Sequence, residues 1–340
     1  MTGSPINCTV DLDRPGRQAG YLELPRSGNT AGWAATWIPI ACVANGTGPT
    51  VLVLGGVHGD EYEGQVAGLR LARELDPSRV SGRVIVIPCM SPGASRAGTR
   101  LWPSGANLNR SFPGSPSGHA HEQLADFVTR VLLPLSDVVI DMHSGGSSSW
   151  YVPVSHMHVV DDPAQRRAML EAMQAWNTDF HYLYIDIAGT GLLAVEAERQ
   201  GKLVVATELG GGGHVPAAVH RIAQRGLANV LRHLGVLVGE VETRASLGLP
   251  EAIILDARNP ANYLMAPESG LWETLVDPGD PVEAGQPVGA IHFLERLDRR
   301  PELVTAPLDG IVVKIRAMSV TEQGDNVIGL GQPIAASELA

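Results

Sequence analysis

Short apolar, β-branched runs recur through the first 240 residues, at Trp37–Ala44, Thr50–Leu54, Arg83–Pro88, Asp137–Asp141 and Leu203–Thr207. Runs of this length with little polar alternation suit strands buried on both faces. Between them, apolar residues fall three and four apart over Tyr62–Leu75, Glu122–Leu133, Pro163–Trp176 and Ala217–Leu234, which gathers them on one stripe of a helix. Strand and helix in alternation predict an α/β fold, with a largely parallel sheet and helices on both faces. Ligands of such sheets bind beyond the carboxyl ends of the strands, so the residues after each run are where chemistry is expected.

After about Glu240 the helical period fades, and Gly, Pro, Asp and Val fill short segments separated by turns. The pattern predicts two domains: an α/β catalytic domain over residues 1–240 and a small all-β domain over 241–340. Within the second, Pro267–Ile291 and Ala306–Ile334 each open near a Pro-x-x-Gly turn and close near Gly-Gln-Pro. Such quasi-repeats are similar to a barrel-sandwich, biotinyl/lipoyl-type module. A carrier function does not follow, because the modified lysine of such carriers sits in a hairpin turn, whereas Lys314 falls inside an apparent strand. A structural or homo-oligomerisation role is expected instead.

A length of 340 residues suits two domains, and 44 % hydrophobic against 18 % charged residues is the balance of an ordinary globular protein. With 25 Lys+Arg against 36 Asp+Glu the formal charge is −11, which argues against nucleic acid or an anionic membrane as partner. Cys8, Cys42 and Cys89 are too few and too scattered for a disulfide framework. No basic-then-apolar leader or apolar run of about 20 residues is seen, so a cytoplasmic enzyme is expected.

Three strand ends carry candidate chemistry. In Val51–Gly64 (VLVLGGVHGDEYEG) a strand runs into His58, with Glu61 three residues on; an imidazole and a carboxylate so placed across a strand-to-helix turn can share a zinc ion. In Val138–Gly146 (VVIDMHSGG) a second strand delivers His143, and Asp141 is placed to orient a ligand imidazole. Two histidines and one carboxylate leave a position for water, the arrangement of a catalytic zinc site. In Leu203–Gly213 (LVVATELGGGG) Glu208 precedes four glycines, placed to take a proton from activated water and return it to a leaving amine. The Arg96–Gly114 loop sets Arg100 and Arg110 near Asn107 and Asn109, which suggests an anion pocket.

The order HGDE, NLNRSFPG, DMHSGG, TELGGGG resembles the succinylglutamate desuccinylase/aspartoacylase family of zinc hydrolases, relatives of the zinc carboxypeptidases, over roughly Gly20 to Glu240. The resemblance implies a zinc-carboxypeptidase-like fold and one zinc per chain on His58, Glu61 and His143. It also implies Glu208 as general base, Arg100 polarising the scissile carbonyl, and Asn109 with Arg110 holding the substrate carboxylate. Within the family, GGVHGDEYEG, RAGTR, DMHSGG and TELGGGG look most similar to N-acetyl-diaminobutyrate deacetylases of ectoine breakdown, which implies a small N-acyl amino acid as substrate. Leu101, Trp102 and Leu108 depart from the smaller or more polar residues expected there, and are expected to reshape the acyl or side-chain pocket.

For a diamino acid leaving group, Asp60, Glu63, Asp186 and Glu196 are candidate partners of the second ammonium, and His214 is the one further histidine expected near substrate. The rival readings are a peptidase or amidase acting on larger acyl groups, which the same metal site would serve, and a non-catalytic binding protein on the same fold.

Overall fold

The computed structural model describes residues 3–185 and 189–339. Four buried strands form its centre side by side and parallel: Gly82–Ile87, Thr50–Gly55, Val138–His143 and Leu203–Glu208. The long hairpin of Gly16–Gly28 and Ala31–Asn45 continues the sheet antiparallel on one side. On the other side Val154–Met157 runs antiparallel to Leu203–Glu208, followed by Phe180–Tyr184 and Ile253–Ala257, parallel to one another in turn. The sheet is therefore mixed, with its parallel part where the apolar runs predict it.

Helices cover both faces, and alternate residues of the central strands sort between two cores. Leu52, Leu54, Ile85 and Ile87 pack with Leu124, Phe127 and Leu193, while Val51, Val53, Val84 and Val86 pack with Ala67, Leu227 and Val230. Such period-two sorting is what a strand buried on both faces produces. Tyr62–Glu74, Pro163–Gln174 and Ala217–His233 form the helices expected. The segment Glu122–Leu133 differs: Ala120–Phe127 is α-helical and Val128–Leu132 widens into a π-turn. Pro134 has no N–H to give the carbonyl four residues back, and the wider turn just before it accommodates the lost bond.

Beyond the Ala217–His233 helix the described residues form strands and 3₁₀ turns. The two quasi-repeats share one plan, a strand, a two-residue strand and a strand: Gly270–Thr274, Pro281–Val282, Pro287–His292, then Gly310–Arg316, Val320–Thr321, Asn326–Ile334. Each short strand crosses to the other half, Pro281–Val282 pairing with Gly310–Arg316 and Val320–Thr321 with Gly270–Thr274. Trp272, Val288, Ile291, Val312, Val327 and Leu330 give this segment its own core. Asn326–Ile334 also pairs with Ile253–Ala257, and Gly310–Arg316 with Ser149–Tyr151, which ties the segment to the central sheet beside the strand ends.

The helix Tyr62–Glu74 lies close on the strand Val138–His143 because Gly64 has no side chain; a Cβ there would stand 2.6 Å from Met142 Cβ and 2.8 Å from its carbonyl oxygen. This approach sets the helix that begins after Glu61 against the strand that ends at His143. Replacing Gly64 by Val is expected to cost roughly 1–3 kcal/mol of stability by overpacking, read by denaturant unfolding. Unchanged stability would show that the helix can shift away freely.

Candidate metal centre and its cavity

Three neighbouring strands bring the candidate residues together at their carboxyl ends. His143 and Glu208 are the last residues of adjacent parallel strands and sit opposite one another in register. Glu61 caps the helix reached from Thr50–Gly55, so His58 lies on the intervening turn. His58 Nδ1 meets one oxygen of Glu61 at 2.7 Å and His143 Nδ1 meets the other at 2.8 Å. All three side chains are buried, and their potential ligand atoms lie within 4.8 Å of one another.

The far nitrogens of both rings are also held. His143 Nε2 lies 3.1 Å from Asp141 Oδ2, and His58 Nε2 lies 3.2 Å from Asn107 Oδ1. Outer partners of this kind fix the ring orientation of metal-bound histidines. Asp141 stands behind the His143 ring, where an orienting partner would have to be. Asn107, which the sequence groups with an anion pocket, stands behind His58.

Electrostatics separate the two carboxylates. Burial works to raise Glu61, but the His58 and His143 imidazoles hold it well below the usual carboxylate range. Burial works against charge on His143 as well, and Asp141 with Glu61 overcomes it and holds the ring well above its ordinary value. Glu208 goes the other way: burial, with Glu61 adding to it, pushes its carboxyl up to about 8. Its Oε2 is buried without a hydrogen-bond partner. Two carboxyls driven apart in this way suit different tasks, one a permanent anion and one a group that exchanges protons.

His58, Glu61, His143, Glu208, Arg100, Asn109 and Arg110 all line one cavity of about 350 Å³. Arg100 donates from Nη1 to Glu61 Oε1 at 2.9 Å while nearly half of its side chain stays exposed to the cleft. Asn109 accepts from the Leu193 amide at 2.9 Å and places Nδ2 3.5 Å from His143 Nε2. Arg110 donates to the Asn109 carbonyl at 2.6 Å.

Several expectations are corrected. Leu101, Trp102 and Leu108 do not line the cavity; Leu108 belongs to the core, and Trp102 packs against it and donates to Ser91 Oγ at 2.7 Å. Asp60 is buried, accepting from the Ser147 amide, Glu63 faces Ser144 and Gly211, and Glu196 pairs with Arg199. None of these three lines the cavity, and Asp186 lies outside the described residues. His214 stacks on Trp150 away from the cavity. In the glycine run after Glu208, Gly211 lets the chain pack against the Ser149 backbone: it has φ +138°, and a Cβ there would strike the Ser149 carbonyl at 2.1 Å.

The far walls come from residues that no sequence motif marks. Tyr151, His156, Tyr182 and Tyr184 come from short flanking strands, and Tyr263, Lys314 and Asn326 from the C-terminal segment. Lys314 donates to the backbone and side-chain oxygens of Asn326, both at 2.7 Å. Burial pulls its pKa down to about 7. One signal was available: the chain has only two lysines, and one of them sits in a predicted strand.

A carboxyl pushed toward its neutral form beside a His–Glu–His group that could hold a cation, with Arg100 bonded to that group, is equipment an amidohydrolase can use. Comparison with known proteins agrees. Residues 47–234 match the succinylglutamate desuccinylase/aspartoacylase catalytic domain. Over 332 residues the chain is 40 % identical to the N-alpha-acetyl-L-2,4-diaminobutyric acid deacetylase of Halomonas elongata, covering 97 % of this chain and 96 % of the relative. The product-bound structure of the ectoine utilization protein EutE (DoeB) from Ruegeria pomeroyi superposes with a TM-score of 0.92 at 38 % identity, covering 97 % and 99 % of the two chains. A succinylglutamate desuccinylase/aspartoacylase structure from Rhodobacter sphaeroides reaches 0.93 at 40 % identity, covering 98 % and 100 %. The chain belongs to the succinylglutamate desuccinylase/aspartoacylase family.

Removing the partner of His143 tests the centre. Asp141→Asn is expected to weaken divalent-metal binding by roughly 10–100-fold, measured by competition with a chromophoric chelator. Unaltered affinity would contradict the orienting role.

Proposed function

We propose that this protein is a zinc-dependent amidohydrolase that removes the acetyl group from Nα-acetyl-L-2,4-diaminobutyrate or a close analogue, with one zinc per chain. The observation that carries the reading is Glu208: a half-buried carboxyl with one buried, unpartnered oxygen, raised into the proton-exchanging range, in the same cavity as the His58–Glu61–His143 group.

The residues present fit the metal. Two imidazole nitrogens converge on one buried carboxylate, each ring is held from behind, and no fourth protein donor closes the group among the described residues. Zinc held by two histidines and a glutamate supplies a Lewis acid and a water of lowered pKa. The remaining work belongs to the chain. Glu208 takes the proton of the attacking water and, after the carbon–nitrogen bond breaks, passes it to the departing amine, leaving acetate and the diamino acid. Arg100, exposed to the cleft beside Glu61, donates to the carbonyl oxygen as negative charge develops there. Asn109 and Arg110 hold the substrate carboxylate, for which the guanidinium fork is suited.

The cavity supports a small substrate over a peptide. At about 350 Å³, with Tyr263, Lys314 and Asn326 forming one wall, it is near the lower end of ligand sites. We read residues 1–240 as the catalytic unit and 241–340 as a structural or oligomer-forming domain that also supplies that wall. Three free cysteines, one of them buried, suit a reducing cytoplasm.

Glu208→Gln is expected to lower kcat at least about 100-fold while zinc content stays at one per chain, read by steady-state kinetics and metal analysis. Retained turnover would remove Glu208 from its role. The wild-type protein is expected to hydrolyse N-acetyl-diaminobutyrate in preference to an acetylated tripeptide; comparable rates on both would favour a peptidase.

A further inference from the structure

A diamino acid brings a terminal amine into the cavity, and the described walls offer it no spare carboxylate. Among the described residues the only carboxyls lining the cavity are Glu61, held between two histidines, and Glu208. What the far wall offers is aromatic. Four of the six tyrosines in the chain line this one cavity, with His156 among them.

His156 pairs with Ala206, two residues before Glu208, and with Tyr182 on its other side. Side chains two apart on a strand share a face, so His156 and Glu208 project from the same side of the sheet. The ring of Tyr184 stands edge-on to His156, with centroids 4.7 Å apart and an interplanar angle of 88°. His156 is only 4 % exposed; one ring nitrogen approaches the Thr207 backbone, neither has a well-formed hydrogen bond, and the other nitrogen is left without a protein partner. A buried polar group left this way is costly unless a ligand completes it. Burial keeps the imidazole uncharged, which leaves one nitrogen free to accept. A neutral acceptor among tyrosine rings, whose faces carry negative potential, suits a desolvated ammonium.

We propose that His156, flanked by Tyr182 and Tyr184, receives the terminal amine of the leaving amino acid and so selects a diamino acid, an assignment that rests on the deacetylase reading above. On the same reading Arg110 and Asn109 hold the carboxylate, so the two charges of the substrate meet different residues of the one cavity. Lys314 offers the competing outcome, since a side-chain carboxylate would be drawn to its ammonium.

The test measures kcat/KM for N-acetyl-2,4-diaminobutyrate, N-acetyl-2-aminobutyrate, which lacks the terminal amine, and N-acetylaspartate, using the zinc-loaded full chain. The wild-type protein should prefer the diaminobutyrate substrate over the aminobutyrate one by at least about tenfold, the scale of one hydrogen bond to a charged group. His156→Leu should bring that ratio to within about threefold of unity, and His156→Gln, which keeps an acceptor, should restore part of it. Thermal unfolding checks each variant, and if the leucine protein does not fold, His156→Asn and His156→Gln are read by the same ratio. Equal losses on both substrates, or a wild-type preference for aspartate or aminobutyrate, would overturn the assignment and leave the deacylase reading standing. Cleavage of none of the three would overturn the deacylase reading itself, and this assignment with it.

Discussion

The Glu61 carboxylate is an anion where water scarcely reaches, and much of the molecule is arranged to hold it there. Burying an ion costs several kcal/mol unless partners of good geometry surround it. Here the partners are His58, His143, Arg100 and the Ser144 amide, drawn from three separate stretches of chain. Each must arrive at a fixed place, and the parallel sheet provides that. Thr50–Gly55 and Val138–His143 are adjacent, register sets where His143 ends, and the close approach at Gly64 sets where Glu61 begins. A cation between the two histidines would replace the protons that satisfy the cluster, so the same constraint that shapes the fold prepares the site.

This part of the protein was legible in the sequence because strands buried on both faces announce themselves. VVIDMH and LVVATE are apolar runs broken by Asp141, His143 and Glu208, all candidate site residues, and VLVLGG leads directly into His58. The far wall was not legible for the converse reason. Val154–Met157 and Phe180–Tyr184 are short, and their histidines and tyrosines give no period that separates them from loop, although His156 and Tyr182 sit side by side in the sheet. Likewise Leu108, read as a pocket residue, belongs to the core, and Asn107, two residues before Asn109, supports a histidine. Spacing along the chain cannot separate the face of a loop that meets substrate from the face that holds the site up.

Charge shows the same gap between chain and site. The formal charge of −11 describes the surface presented to large partners. Arg100, Arg110 and Lys314 line the same cavity as two carboxyls, of which Glu208 is pushed toward its neutral form. The local field therefore favours a substrate with a carboxylate, the opposite of what the whole-chain balance suggests. Lys314 and Asn326 reach the cavity because Gly310–Arg316 pairs with Ser149–Tyr151, a contact between segments more than 150 residues apart that no local pattern announces.

The most direct test of the central claim is metal reconstitution. Protein stripped with a chelator and titrated with zinc should regain deacetylation of N-acetyl-diaminobutyrate linearly to one equivalent per chain, and Glu61→Ala protein should regain none. Full activity in the stripped protein, or unimpaired reconstitution of the Glu61→Ala protein, would contradict the account.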